Sequence, residues 1–269
     1  MQAASRASAA AARERLDAIV AKVDAARLAD ELRSVAGLLV REPALRRAFV
    51  DPARSAEARV ELLENVFASQ VSADTLDLLR TVVSGRWSTG SDLLNTVELL
   101  AVEAELAAAE KAGALADVED ELFRFGRVVA GDPQLAVALS DPTADPGRKT
   151  ALLRDLLAGK ATEFTVRLAE VAVNGLGGRG FDASLQRLVE LTAERRDRQV
   201  AYVRVAAPLT DEQEERLSTR LSGLYGRQIS LKVTVDPAII GGATVQVGDD
   251  LYDGSVARRL DQARTALTK

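Results

Sequence analysis

Two stretches of the chain align with each other without a gap, "ADELRSVAGLLVREPALRRAFVDPARSAEARVELLENVF" at residues 29–67 and "EDELFRFGRVVAGDPQLAVALSDPTADPGRKTALLRDLL" at residues 119–157. Identical residues are spread along the whole alignment: Asp30/Asp120, Glu31/Glu121, Leu32/Leu122, Pro43/Pro133, Leu45/Leu135, Ala48/Ala138, Asp51/Asp141, Pro52/Pro142, Leu62/Leu152 and Leu63/Leu153. The same spacing continues to Gly85/Gly175 and Gly90/Gly180. A register held over this length predicts two copies of one unit of about ninety residues, rather than a shared Ala and Leu bias.

Each copy has the hydrophobic pattern of amphipathic helices. Apolar side chains recur every three or four residues from Leu28 to Leu39, which places them on one helix face. Pro43 stands where a following helix would begin, and Asp51-Pro52 ends that helix because a proline restricts the residue before it to extended geometry. A long apolar pattern at 93–113 is a candidate to serve both copies.

The pattern changes after about residue 199. Strand-like alternation is found in "VAYVRVA" (200–206), "ISLKVTV" (229–235) and "ATVQV" (243–247), with a helix predicted at 209–226 and a last helix from Ser255. We therefore predict a mainly α protein with a small α+β C-terminal domain. Its parts are a helical bundle at 1–105, a second helical bundle at 106–199 and a β-α-β-β-α cap at 200–269.

The composition excludes much catalytic chemistry. The chain of 269 residues has no His and no Cys, so it cannot supply zinc-finger ligands, a thiolate nucleophile, a disulfide or an imidazole base. Its net charge of −5 argues against a polyanion such as nucleic acid as a partner. No apolar run approaches the roughly 18 residues that a membrane span requires.

One glycine-rich stretch matches a dinucleotide-binding pattern. "GLGGRG" at 175–180 has the G-x-G-x-x-G spacing, but that motif binds pyrophosphate only after a strand and before a helix, and here it follows a helical pattern. Its counterpart in the first copy, "GRWSTG" at 85–90, keeps only the outer two glycines. An interhelical loop is favoured over a nucleotide site, and Trp87 is interpreted as a packing anchor, although an exposed Trp87 would indicate a contact surface.

A second stretch, 235–260, concentrates acidic residues near two glycines. Asp249, Asp250 and Asp253 could be an acid pair, a metal site or the turns of a small sheet. The spacing of an EF-hand loop is missing, and the glycines at 241 and 242 together with Ser255 fit turn and helix-cap positions. We therefore favour a structural role over acid–base or metal chemistry.

The C-terminal stretch "LKVTVDPAIIGGATVQVGDDLYDGSVARRLDQARTAL" (231–267) resembles the signature of the ATP synthase delta subunit family, also called OSCP. The resemblance assigns structural signature positions to Asp236, Gly241, Gly242, Gly248, Asp253, Gly254 and Ser255. It extends from about residue 106 to the end, and the additional copy in front is similar to the long delta subunits of actinobacteria.

The resemblance implies a peripheral-stalk (stator) subunit with no catalysis and no cofactor. Such a subunit would bind the N-terminal segments of the α subunits through its helical domain and the C-terminal region of the b subunit through its C-terminal domain. It would be a peripheral protein on the cytoplasmic face of the bacterial plasma membrane, attached through the complex. An independent helical adaptor is the alternative that repeated bundles alone would predict.

Grooves between amphipathic helices accept an apolar face of a partner helix. Candidate partner contacts lie on the first and last helices of the chain: Leu16, Ile19, Val23, Leu260 and Leu267. Apolar stripes at helical spacing are also typical of a protein core.

Overall fold

A computed structural model of the chain describes residues 2–141, 143–197, 200–225, 229–236, 239, 241–247 and 250–253. The chain forms two compact units, Met1–Thr192 and Ala193–Lys269. The predicted fold class, mainly α with a small α+β region, is confirmed. In the described part of the chain, no helix combines the length and the apolar character needed to cross a membrane.

The helical part contains two series of helices joined by short loops. Their bounds are α1 Ala3–Val20, α2 Ala25–Arg41, α3 Pro43–Val50, α4 Ala56–Phe67, α5 Ala73–Ser84, α6 Gly90–Lys111, α7 Leu115–Gly131, α8 Pro133–Ser140, α9 Pro146–Leu157, α10 Glu163–Asn174 and α11 Phe181–Asp197. The prediction of a duplicated unit is confirmed, because α2 to α5 and α7 to α10 begin and end at equivalent positions ninety residues apart.

Local signals explain why the bounds agree. Pro43 and Pro133 occupy the first turn of α3 and α8, where a missing N–H costs nothing. The side chain of Ser72 caps α5 by accepting from Thr75 N, and Thr162 caps α10 in the same way. These helices therefore begin at equivalent local sequence signals in both copies.

Helix α6 belongs to both copies. Its residues Leu93, Val97 and Leu100 lie in the core of the first copy, whereas Val102 and Leu106 lie in the core of the second. The first copy therefore comprises α1 to α6, and the second comprises α6 to α11. The predicted boundary between residues 105 and 106 falls inside this helix, and the prediction that the long segment serves both copies is confirmed.

A carboxylate clamp recurs in both copies. Glu31 on α2 accepts hydrogen bonds from Ser72 N at 2.9 Å, Ser72 Oγ at 2.7 Å and Thr75 Oγ1 at 2.5 Å. Glu121 on α7 accepts the equivalent bonds from the backbone N–H and the hydroxyl of Thr162 and from the hydroxyl of Thr165. The clamp fixes the start of α5 on α2, and the start of α10 on α7.

The hydrogen bonds decide the ionisation of Glu31. Burial alone would raise the pKa of Glu31, but the bonds from Thr75 and Ser72 outweigh it and lower the pKa to about 2. The clamp is therefore a charge-assisted interaction at neutral pH.

The second unit is a four-stranded sheet with one described helix against it. Its elements are β1 Val200–Val205, α12 Asp211–Tyr225, β2 Ser230–Val235, β3 Ala243–Val247 and β4 Asp250–Asp253, with strand order β2-β1-β3-β4. Strands β1 and β2 are parallel, so α12 forms the crossover between them, and the other two pairings are antiparallel. The last helix that we predicted from Ser255 lies outside the described residues.

The core of this unit follows the alternation in the sequence. Ala201, Val203, Val245 and Val247 are buried with Leu221 of α12. The T-x-x-Q capping box at the start of α12 forms both of its bonds, from Thr210 N to Gln213 Oε1 at 2.9 Å and from Gln213 N to Thr210 Oγ1 at 3.3 Å.

We predict that Glu31→Gln lowers the free energy of unfolding at pH 7 by about 1 to 3 kcal/mol, because it removes a charged acceptor from four donors, the three of the clamp and Arg27 Nε. The pKa of Glu31 is lower in the folded chain than its ordinary 4.5, so the stabilisation is present above about pH 4.5 and is lost as the pH falls toward 2. Urea denaturation between pH 7 and pH 3 measures the difference between variant and wild type.

The control is Glu64→Gln, because the Glu64 side chain is 41% exposed in its ion pair with Arg80. That change is expected to cost less than about 1 kcal/mol. A Glu31→Gln penalty that stays constant across the whole pH range would contradict the ionised clamp.

Candidate partner-binding sites

The joint between the copies is organised around one buried carboxylate. The Glu105 side chain on α6 has no exposed surface, and its Oε2 lies 3.0 Å from Nη1 of Arg33 on α2. Its Oε1 lies 3.6 Å from Nη1 of Arg167 on α10. Because α2 belongs only to the first copy and α10 only to the second, one acidic side chain connects both.

Burial controls the electrostatics of this joint. Removal from water raises the pKa of Glu105, and the nearby charges of Arg33 and Arg167 offset only part of that effect. Each arginine also pairs with an acid on its own helix, Arg33 with Asp30 and Arg167 with Glu163. A carboxyl with a raised pKa can serve as a general acid, but Glu105 is closed to solvent and therefore to substrates.

The first-helix partner candidates lie mostly inside the protein. Leu16 is 1% exposed and Ile19 is 9% exposed, and both pack in the core of the first copy. Val23 is half-buried at the edge of that core. Partner contact through these side chains stays a prediction, and their burial does not favour it. Leu260 and Leu267 lie outside the described residues.

The glycine-rich stretch is an interhelical loop, as the sequence predicted. It contains a short 3₁₀ turn at Leu176–Gly178 between α10 and α11, and Gly175 and Gly177 have φ values of 85° and 62°. A Cβ at position 175 would lie 2.8 Å from the carbonyl oxygen of Arg179, so that position requires glycine.

Two successive amides of this loop donate to side chains of the chain itself. Gly177 N donates to Glu98 Oε2 at 2.8 Å, and Leu176 N donates to Ser184 Oγ at 3.0 Å. Burial raises the pKa of Glu98, while the bond from Gly177 partly offsets this. A carboxylate therefore occupies the place that a phosphate would need, which argues against nucleotide binding.

Trp87 is a packing anchor, as predicted. Its side chain is buried in the core of the first copy, and its Nε1 donates to the carbonyl oxygen of Val82 at 2.8 Å. The indole thus closes the loop after α5 onto the end of that helix.

The signature residues that the structure describes lie at the ends of the strands of the small sheet. Asp236 follows β2, its backbone N donates to Val205 O at 2.8 Å, and its Oδ2 accepts from Arg204 Nε at 3.1 Å. Gly242 has a φ of 84° in the turn before β3, next to the half-buried Gly241. Gly248, Gly254 and Ser255 lie outside the described residues.

The acidic stretch does not converge on one point where it is described. Asp250 and Asp253 are three residues apart on β4, so their side chains leave opposite faces of the sheet. Asp250 Oδ2 accepts from Tyr225 Oη at 2.9 Å, and Tyr225 Oη lies 3.1 Å from Tyr252 Oη. Burial, with these two neighbours, raises the pKa of Tyr225, so the phenol ties α12 to β4 in its neutral form. Asp249 lies outside the described residues.

The joint at Glu105 could not be predicted from the sequence. In "AVEAELAAAE" (101–110) this glutamate is spaced like a residue on a solvated helix face. Only the packing of two copies on α6 buries it.

Comparison with known proteins gives a consistent family. The sequence model of one protein family, the ATP synthase delta (OSCP) subunit, matches residues 102–267. "ATP synthase subunit delta" of Salinispora arenicola is 57% identical over all of both chains, and that of Frankia alni is 47% identical over all of both. The protein of that name from Streptomyces avermitilis is 51% identical over 97% of this chain and 96% of its own.

A solved chain gives a more distant likeness. It comes from the structure titled "Cryo-EM structure of Toxoplasma gondii mitochondrial ATP synthase hexamer, composite model", with 21% identity over 62% of this chain and 95% of that one, at a TM-score of 0.34. That TM-score is too low for a comparison of folds. The family match and the full-length relatives confirm the resemblance, and the chain belongs to the ATP synthase delta (OSCP) subunit family.

Proposed function

We propose that the chain is a peripheral-stalk subunit of a proton-translocating ATP synthase, and that it resists rotation of the catalytic head. Its helical unit binds the N-terminal segments of the α subunits, and its C-terminal unit binds the C-terminal region of the membrane-anchored b subunit. It works on the cytoplasmic face of the bacterial plasma membrane as a peripheral protein. Membership of the delta subunit family supports this proposal.

The observation that carries the proposal is the helix shared by both copies. A stator has to transmit torque without bending at its joints. Two bundles connected by a loop would move relative to each other by default. Here α6 is a continuous helix whose residues 101–109 are all buried, so bending it would open both cores at once.

The joint at Glu105 adds a second constraint. Movement of α2 relative to α10 would separate the carboxylate from one of its two arginines. Leaving a buried charge with fewer partners is costly, so the network opposes such movement.

A non-catalytic role is consistent with how the unusual carboxyls are used. Glu98 and Glu105 have raised pKa values, which is a property of many catalytic acids. Glu98 accepts a backbone N–H of the loop at Gly177, and Glu105 lies between two arginines. Both carboxyls therefore have charged or polar partners within the chain.

We predict that the full-length chain binds a peptide from the N-terminus of the α subunit with a Kd of about 1 μM or lower, which corresponds to about −8 kcal/mol. Isothermal titration calorimetry measures this binding, with a peptide of scrambled sequence as the control. The whole chain has to be used, because a cut at the predicted boundary of residue 105 would divide α6.

The b subunit is tested in the same way, with its C-terminal region as the titrant. Absence of binding to both partners would overturn the stator proposal. Co-purification of the tagged chain from membranes then separates the alternatives, because an independent adaptor would be recovered without the α and b subunits.

We predict that Arg33→Met lowers the free energy of unfolding by about 2 to 4 kcal/mol at pH 7, because it leaves the buried Glu105 with only its longer contact. Adding Glu105→Gln should recover at least half of that loss, since the amide removes the unpaired charge. Chemical denaturation of the single and double variants measures both values.

Arg15→Met is the matched control, because Arg15 is 44% exposed in its pair with Asp77. It should cost less than about 1 kcal/mol. Equal losses in the free energy of unfolding for Arg33→Met and Arg15→Met would show that the Arg33–Glu105 contact does not stabilise the joint.

A further inference from the structure

Two ion pairs occupy equivalent places in the two copies with their charges exchanged. In the first copy, Glu64 on α4 pairs with Arg80 on α5 at 2.6 Å. In the second copy, Arg154 on α9 pairs with Glu170 on α10 at 2.5 Å. Positions 64 and 154 are equivalent, as are positions 80 and 170, so the acid and the base have changed places.

The second exchanged pair links the first helix of each copy to its fifth. Arg15 on α1 pairs with Asp77 on α5 at 2.5 Å, whereas Glu105 on α6 faces Arg167 on α10 at 3.6 Å. Along α5 the paired acid, Asp77, precedes the paired base, Arg80. Along α10 the order is reversed, with Arg167 before Glu170.

The polar contacts at the start of α5 and α10 do not distinguish the copies. Glu31 accepts from hydroxyls at positions 72 and 75, and Glu121 accepts from hydroxyls at positions 162 and 165. Apolar core positions are also shared, such as Leu78 and Leu168. Either helix could therefore dock on either glutamate while the chain folds.

Exchange of the two helices would turn all four attractions into repulsions. Helix α10 in the place of α5 would set Arg167 against Arg15 and Glu170 against Glu64. Helix α5 in the place of α10 would set Arg80 against Arg154 and Asp77 against Glu105, whose side chain is fully buried. Like charges at one contact disfavour wrong partners even where the correct ion pair adds little stability.

We propose that the exchanged charges assign α5 and α10 to their own copies, both within one chain and against the same helices of a second chain. The shared contacts stabilise either helix in either copy. The exchanged ion pairs favour each helix only in its own copy. This assignment is independent of the partners that the chain binds.

The test gives both copies the same charges at these four positions. Each ion pair is kept, because both of its charges are reversed together. The matched variant carries Arg15→Glu, Asp77→Arg, Glu64→Arg and Arg80→Glu, which gives the first copy the charge order of the second. The control carries Glu64→Arg, Arg80→Glu, Arg154→Glu and Glu170→Arg. It has the same number of substitutions, but the copies remain opposite in charge.

Each protein is unfolded in guanidinium chloride, refolded by dilution and separated by size-exclusion chromatography. We expect the matched variant to give about a threefold lower yield of native monomer than wild type, with the loss recovered as dimer or aggregate, and the control to refold like wild type. Equal monomer yields for the matched variant and the control would overturn the proposal.

Salt provides a second measurement that does not depend on the matched variant being obtained. At 1 M NaCl the screening length is about 3 Å, so the repulsion between wrongly placed helices is weakened. The monomer yield of wild type should then fall relative to the yield at low salt, and the yield of the matched variant should change little. A wild-type yield that is independent of salt would contradict the assignment.

Discussion

Burial of α6 by both copies is the constraint on which the helical unit depends. A helix that contacts other helices on every side has to be apolar or small around its whole circumference. This requirement explains the alanine-rich run at 101–109, in which every residue is buried. Because the two cores share one wall, neither bundle can open along this helix without exposing the other.

The same burial decides where arginines are needed. The two acidic residues in the buried run are Glu103 and Glu105, and carboxylates removed from water require close cationic partners. Arg13 reaches Glu103 from α1 at 2.6 Å, while Arg33 and Arg167 reach Glu105 from α2 and α10. Three helices are thus oriented around α6 by charge as well as by packing.

The sequence predicts the elements of this fold better than it predicts their burial. Helix bounds follow from local signals such as Pro43 and Ser72, which act on the backbone beside them. The surroundings of Glu105, and the inward position of Leu16 and Ile19, depend on which helices pack together, and apolar spacing alone does not distinguish core from interface. The structural role of "GLGGRG" could be predicted because a nucleotide site needs a preceding strand, and the pattern before residue 175 is helical.

The last helices of the two copies, α6 and α11, differ although they are equivalent in the repeat. Helix α6 begins at Gly90, whereas α11 begins at Phe181, one residue later than the spacing of the copies predicts. Helix α11 also carries exposed charges at Glu190 and Glu194, whereas the equivalent positions of α6 are the buried Leu100 and Ala104. Terminal elements of a repeated array need a polar outer face, and internal ones cannot carry it. Helices α6 and α11 are equivalent in the repeat but differ in residues, because α6 packs in two cores and α11 in one.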